Sequence, residues 1–231
     1  VSENFLQYHR EIVFSTKYNN TVSVEQQNSP LTMGGKGLTN PTQNLADAFG
    51  MANGKGINEP GSGYDEDHPY VGRDPRFYMT FAYDGSEFTV NDKTQTIETF
   101  EGGKDATATN KTATKTGYYL KKLLSPQAVW DGRTNNITRT WILMRYAEVL
   151  LNYAEAMNEY CESPSQAPND SIYKVVELIR KRAELSPYKL PAGLTKEEMR
   201  EVIRNERRVE LAFEEHRFFD TRRWRLLDDP Q

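Results

Sequence analysis

This 231-residue sequence predicts a mainly α protein: tetratricopeptide-like helix pairs beside an irregular, loop-rich part containing short β-hairpins. Three observations carry the prediction. Residues 1–138 are rich in Asn, Thr, Gly and Tyr and show only short alternating runs. From Arg139 onward the apolar residues recur at helical spacing. The proline-bearing segments "SPSQAPND" and "LSPYKLPAG" then cut residues 139–231 into three helices with short connections. The two textures, 1–138 and 139–231, are read as parts of one domain.

In chain order, "EIVFSTKY" (11–18) alternates Ile12, Phe14 and Thr16 and reads as a strand. "RFYMTFAYDGSEFTV" (76–90) sets Phe77, Met79, Phe81 and Tyr83 on one face, and Asp84-Gly85 then supplies a hairpin turn. The lysine- and threonine-rich stretch 102–116 reads as a loop rather than a solvated hairpin tip. "RTWILMRYAEVLLNYAEAMNEY" (139–160) places Ile142, Tyr146, Val149, Leu150, Tyr153 and Met157 on one stripe. Ala147, Ala154 and Ala156 thin its sides, so a neighbouring helix can approach closely. Asp170 is positioned to cap a second helix, in which Ile172, Val175, Val176 and Ile179 recur at helical spacing. The third helix has a complete start signal: Thr195 as N-cap, Glu198 closing a capping box, and Leu194 stapled onto Met199. No clean 34-residue repeat is found, so the tetratricopeptide likeness rests on helix order and loop length.

Composition removes several function classes. The net charge is −4 and the isoelectric point about 5.6, so no global basic excess holds a polyanion. A mean hydropathy of −0.77 puts the apolar residues in a few elements, with long polar loops between them. A single cysteine, Cys161, excludes an internal disulfide and any multi-cysteine metal site. His9, His68 and His216 share no metal-ligand spacing, and neither a metal nor a cofactor is expected. No window approaches the roughly 18 apolar residues of a membrane span, and no signal peptide is present. The chain starts at Val1 rather than Met and reads as a processed protein or a fragment.

The closing stretch "ERRVELAFEEHRFFDTRRW" (206–224) carries five arginines, five acids and four aromatics. A phosphate-binding face would not hold as many carboxylates as arginines, so nucleic acid is not the expected partner. Counting by three and four from Met199 brings Val202, Ile203, Glu206, Val209, Glu210 and Phe213 onto the inward stripe. A desolvated carboxylate requires a cation, and arginine's planar fork suits the task. Glu206 and Glu210 are therefore expected to be buried in structural ion pairs, drawing on Arg145, Arg180, Arg182, Arg217, Arg222 and Arg223.

Elsewhere the chemistry-bearing signals are sparse. "GRDPR" (72–76) offers Arg73 and Arg76 as an anion clamp, but Asp74-Pro75 also reads as a turn entering a strand, with the arginines paired locally. Asp65, Glu66 and Asp67 offer oxygen ligands without the Gly and distal Glu of an EF-hand loop. "GMANGKG" (50–56) lacks a phosphate-binding arrangement, and no G-x-S-x-G nucleophile motif occurs. Aromatics set in polar loops are the better lead, because a sugar ring presents an apolar C–H face and a rim of hydroxyls. Trp130, with Asp131, Asn135 and Asn136 beside it, reads as a stacking plane with hydroxyl partners, or as ordinary loop packing. Tyr18 and Asn20 are candidates for an opposite wall.

Several stretches together resemble the SusD/RagB family of outer-membrane nutrient-binding lipoproteins. They are "NPTQNLADAFGMANGK" (40–55), "GYDEDHPYVGRDPRFYMTF" (63–81), "TGYYLKKLL" (116–124), "WILMRYAEVLLNYAEAMNE" (141–159), "IRKRAE" (179–184) and "IRNERRVELAFEEHRFFDTRRW" (203–224). The resemblance implies a non-enzymatic protein at the cell surface that binds oligosaccharides and hands them to a SusC-type TonB-dependent transporter. A peptide- or protein-binding member of the same fold is the runner-up, and a glycoside hydrolase a distant third. It further implies that the membrane is met only through a lipid anchor, and that the anchor, most of the family's helical repeats and its C-terminal tail lie outside this chain.

Overall fold

The structure, a computed structural model, describes residues 9–16 and 19–227. The elements run β1 (Ile12–Ser15), β2 (Asn19–Thr21), α1 (Ser23–Asn28), α2 (Gln43–Ala48), α3 (Pro75–Thr80), β3 (Phe81–Ala82), β4 (Glu87–Val90), β5 (Lys93–Thr96), β6 (Tyr119–Leu120), β7 (Ile137–Arg139), β8 (Ile142–Arg145), α4 (Tyr146–Tyr160), α5 (Ser171–Arg182), α6 (Lys196–Glu210) and α7 (Arg217–Arg223). The fold is mainly α with short strand pairs. The chain divides into two compact units, neither contiguous: residues 1–46 with 77–142, and residues 47–76 with 143–231. This division differs from a single cut after residue 138, because 47–76 pack with the helices.

In the first unit three antiparallel pairs, β2 with β7, β3 with β6 and β4 with β5, surround one core. Met33, Phe88, Val90, Ile97, Tyr119, Leu124 and Ile137 fill it. Helix α1 stops where Ser29 precedes Pro30 and turns to extended backbone, as a residue before proline must. Its Glu25 is fully buried, and its Oε1 accepts the Ser125 N–H at 2.9 Å and an Arg139 guanidinium N–H.

Two expectations fail here. Residues 75–80 form a helix rather than a strand: Pro75 opens it, and Asp74 Oδ1 accepts the Arg76 N–H at 2.8 Å. Phe77 and Phe81 are therefore brought together at helical spacing, 5.0 Å between ring centroids. Asp84-Gly85 is a turn but closes no hairpin, since β3 pairs with the distant β6. The hairpin instead joins β4 to β5 through Asn91 and Asp92, both at φ +57°, with Val90 opposite Lys93. Two left-handed residues match the twist of a two-residue hairpin. Strand β1 forms as expected, yet Phe14 is exposed while Ile12 is buried, so its alternation does not define one buried face. Residues 102–116 form turns and loop, without a strand.

In the second unit α4 packs on both α5 and α6. The expected helix start at Arg139 is a correction: β7 and β8 occupy 137–145, and α4 begins at Tyr146. Ile137, Thr138, Thr140, Trp141 and Ile142 are β-branched or aromatic, and pairing of β7 with β2 outweighs the helical spacing. The inward face of α4 differs too. Ala147, Leu151, Ala154 and Asn158 are buried, whereas Tyr146, Val149 and Tyr153 are exposed. Small residues let the neighbouring helices come close, and that close packing wins over burial of the larger side chains. On α5 the buried residues include Ile172, Val176 and Ile179, as the spacing predicts. Asp170 occupies the N-cap position but its side chain makes no cap bond, because its own backbone is left-handed at φ 53°. Helix α6 starts with the full capping box of Thr195 and Glu198, and Leu194 packs on the cluster that contains Met199.

Glu206 and Glu210 of α6 are 4% and 5% exposed. Arg76 lies 2.6 Å from Glu206 Oε1, 3.1 Å from Glu210 Oε2 and 2.7 Å from Asp74 Oδ2. Arg145 reaches Glu210 Oε1 at 2.7 Å and Glu214 Oε2 at 2.6 Å, and Arg182 also bonds Glu210. Arg180 stands 3.8 Å from Glu206 and donates to the carbonyls of Gly54 and Tyr188. Burial pulls the Arg76 pKa down, but Glu206 and Asp74 outweigh it and hold the group well above the usual arginine range. Arg76, read as a local turn residue, is thus the centre of the network. Of the downstream arginines, Arg217 and Arg222 are exposed and make no ion pair with Glu206 or Glu210. Arg223 pairs with Glu155 and Asp220 instead. Asp220 belongs to α7, and its other oxygen accepts from Arg207 at 2.7 Å.

Glu206→Ala should cost roughly 3–5 kcal/mol, since it leaves a buried guanidinium short of a partner. Chemical denaturation of the variant measures it. A loss under about 1 kcal/mol would mean that Asp74 and Glu210 balance Arg76 without Glu206.

Candidate functional site

Trp130 lies within the first unit on the loop between the β4–β5 hairpin's neighbour Ala128 and strand β7. Three contacts hold it. The Trp130 N–H donates to Asn91 Oδ1 at 2.9 Å, and its indole Nε1–H donates to the Gly34 carbonyl at 3.0 Å. One side of the ring packs on the core cluster, and the residue as a whole is half-buried. Gly34 ends a short 3-10 turn (Leu31–Met33) at φ +84°, where a Cβ would come within 3.4 Å of the indole nitrogen. The Trp130 ring is therefore clamped with part of its surface open, which leaves both the stacking and the packing reading standing.

Asn91 is the connector. It is 2% exposed, and its Oδ1 accepts from the backbone of both Trp130 and Asp131, at 2.9 and 3.0 Å. Its Nδ2 donates to Met33 O at 3.1 Å, and its own N–H donates to Ala128 O at 2.8 Å. One side chain thus joins the hairpin tip, the 3-10 turn and the Trp130 loop. Nothing in the expected site pointed to it. The Asn-Asp pair between "EFTV" and "KTQT" was the available signal, since asparagine tolerates left-handed backbone.

The other expected residues are placed as follows. Asp131 is exposed, and its Oδ2 lies 3.1 Å from Lys93 Nζ. Asn135 closes the loop by pairing its backbone with Val129 and donating from Nδ2 to Gln127 O at 2.7 Å. Asn136 is exposed between that bridge and β7. Asn20, exposed on β2, stands opposite Thr138 of β7, which follows directly from the loop. Tyr18 lies outside the described residues. Trp130, Asp131, Asn135 and Asn136 thus share one loop, and Asn20 sits on the strand paired with its continuation.

Other chemistry is accounted for locally. Arg73 is buried and donates to the carbonyls of Phe49 and Pro69, with Tyr64 beneath its guanidinium. Asp65 accepts a hydrogen bond from His68 at 2.8 Å, which holds its carboxyl below the usual range. Among the described residues no group of three or more His, Cys, Asp or Glu side chains is arranged to hold a metal ion. Asn91→Gly keeps the left-handed backbone and removes three side-chain hydrogen bonds. It should destabilise the protein by about 2–4 kcal/mol and speed amide exchange at Trp130 and Asp131. Unchanged exchange there would show the loop held without Asn91.

Comparison with known proteins gives a consistent result. A family model described as "SusD family" matches residues 5–230. The SusD-like protein P2 of Formosa agariphila is 42% identical over 91 residues, which is 37% of this chain and 17% of that protein. Among solved structures, a SusD-like protein of Bacteroides fragilis superposes with a TM-score of 0.74 at 30% identity, covering 95% of this chain and 44% of its own. A SusD-like carbohydrate binding protein of the same organism gives 0.71 at 25% identity, covering 94% of this chain and 42% of its own. The chain spans under half the length of each solved relative.

Proposed function

Because this chain belongs to the SusD family, we propose that it is part of a non-catalytic binding protein that takes up oligosaccharide at the cell surface and passes it to a SusC-type TonB-dependent transporter. The observation that carries the binding half is Trp130. Its indole is held by the Gly34 carbonyl and the core, its backbone N–H by Asn91, and the residue is only half-buried. A plane held rigid before the ligand arrives loses little entropy on binding, so stacking against a sugar's C–H face becomes favourable. Asp131, Asn136 and Asn20 are exposed polar side chains on the same loop and its paired strand, suited to hydroxyls. A stacked ring and a few hydrogen bonds amount to micromolar to millimolar affinity, which suits a protein that must release its cargo. A relative described as a SusD-like carbohydrate binding protein supports the same reading.

Among the described residues no helix is long and apolar enough to cross a membrane. In the proposed reading a separate transporter supplies the pore and a lipid anchor the attachment. Gentle solubilisation of membranes should recover the native protein with a large β-barrel. Its recovery as a free cytoplasmic monomer would contradict the reading.

Trp130→Ala should weaken glycan binding at least tenfold in calorimetric titration. It should also lower the melting temperature, because the ring packs on the core. Trp130→Phe, which keeps an aromatic plane, should retain most of the affinity and serves as the folded control. Equal affinity in Trp130→Ala would remove the loop from the site. Incubation with candidate polysaccharides should release no reducing ends. Turnover abolished by removing a single carboxylate would establish a hydrolase instead, and binding of peptides but no glycan would establish the peptide-binding alternative.

A further inference from the structure

Four charged side chains flank the Trp130 loop, and they are matched two by two. Lys93 Nζ lies 3.1 Å from Asp131 Oδ2. Arg133 reaches Asp92 Oδ2 through Nη2 at 2.7 Å and Nε at 3.1 Å. All four groups are largely exposed, and both pairs tie the hairpin tip at 92–93 to the loop at 131–133. Within the two pairs of this rim the charges cancel.

Resting on the glycan-binding reading above, we propose that this rim selects an uncharged pyranose segment, and that the Lys93–Asp131 and Arg133–Asp92 pairs are the specificity-determining groups. A ligand carboxylate or sulfate that joins Lys93 meets a cation already neutralised by Asp131 and comes close to that carboxylate. The Asp131 backbone N–H is held by the buried Asn91, which keeps the residue at this edge of the loop. Two anions then share one cation at close range, and their mutual repulsion offsets the attraction. The same obstacle meets an anion approaching Arg133, with Asp92 fixed at the hairpin tip. Sugar hydroxyls meet no such conflict. A carboxylate has about four lone-pair sites, an ammonium three N–H groups and a guanidinium five. Each pair therefore keeps donors and acceptors that a hydroxyl can join without breaking it.

The test is calorimetric titration of the protein with two sets of hexasaccharides at low and high salt. One set is neutral (malto-, cello-, xylo- and mannohexaose), and the other is anionic (hexagalacturonate and a chondroitin sulfate hexasaccharide). We expect binding of at least one neutral hexamer with little salt dependence, and at least tenfold weaker binding of both anionic ones. In Asp131→Asn, which releases Lys93, the ratio of hexagalacturonate to neutral affinity should rise at least tenfold, and high salt should erase the gain. Preference of the unmodified protein for an anionic hexamer, or an unchanged ratio in Asp131→Asn, would overturn this inference and leave glycan binding intact. Binding of no hexamer in either set would overturn the glycan-binding reading itself, and this inference with it.

Discussion

Glu210 is held by three guanidinium groups on the buried side of α6, and the helical unit depends on that balance of charge. An isolated carboxylate there would be strongly destabilising. Arg145, Arg182 and Arg76 bring opposite charge from the start of α4, the end of α5 and the entry to α3. Since Arg76 also binds Glu206 and Asp74, the segment that ends at residue 76 is held to the helices by the same network. A buried ion network of this kind adds little net stability over a well-packed apolar substitute, but removal of one member leaves another uncompensated. Its contribution is to permit one arrangement of these segments and penalise others.

The first unit uses neutral hydrogen bonds for a similar purpose. Asn91 is a buried amide whose donor and acceptor are both engaged with backbone from two other segments. It holds irregular loops in register where no sheet ladder runs, and so gives Trp130 a fixed position. The charged pairs that tie the hairpin tip to the same loop are exposed and individually weak.

Two misreadings share a cause. Residues 76–83 alternate as a strand would and also space Phe77 and Phe81 as a helix would. Residues 139–145 continue a helical spacing but pair as strands. Short apolar runs satisfy both periods; Pro75 and the Asp74 cap start a helix in the first, whereas the distant β2 holds the opening of the second as a strand.

Local chemistry decided the composition of the helical part, its breaks at Pro164, Pro168 and Pro187, the Thr195–Glu198 capping box, and the need of Glu206 and Glu210 for arginine partners. These follow from contacts within a few residues or from the cost of burying a charge, and both can be read along the chain. Long-range packing decided the rest. The alanine and tyrosine stripes of α4 have the same helical period, so only the close approach of α5 and α6 selects the alanines for burial. Arg76 and Arg217 look alike in sequence, yet one lies at the centre of the ion network and the other is exposed. The support of Trp130 comes from Gly34 and Asn91, 96 and 39 residues away. Such separations have no local signature, because the energy that favours them exists only once the chain has brought the segments together.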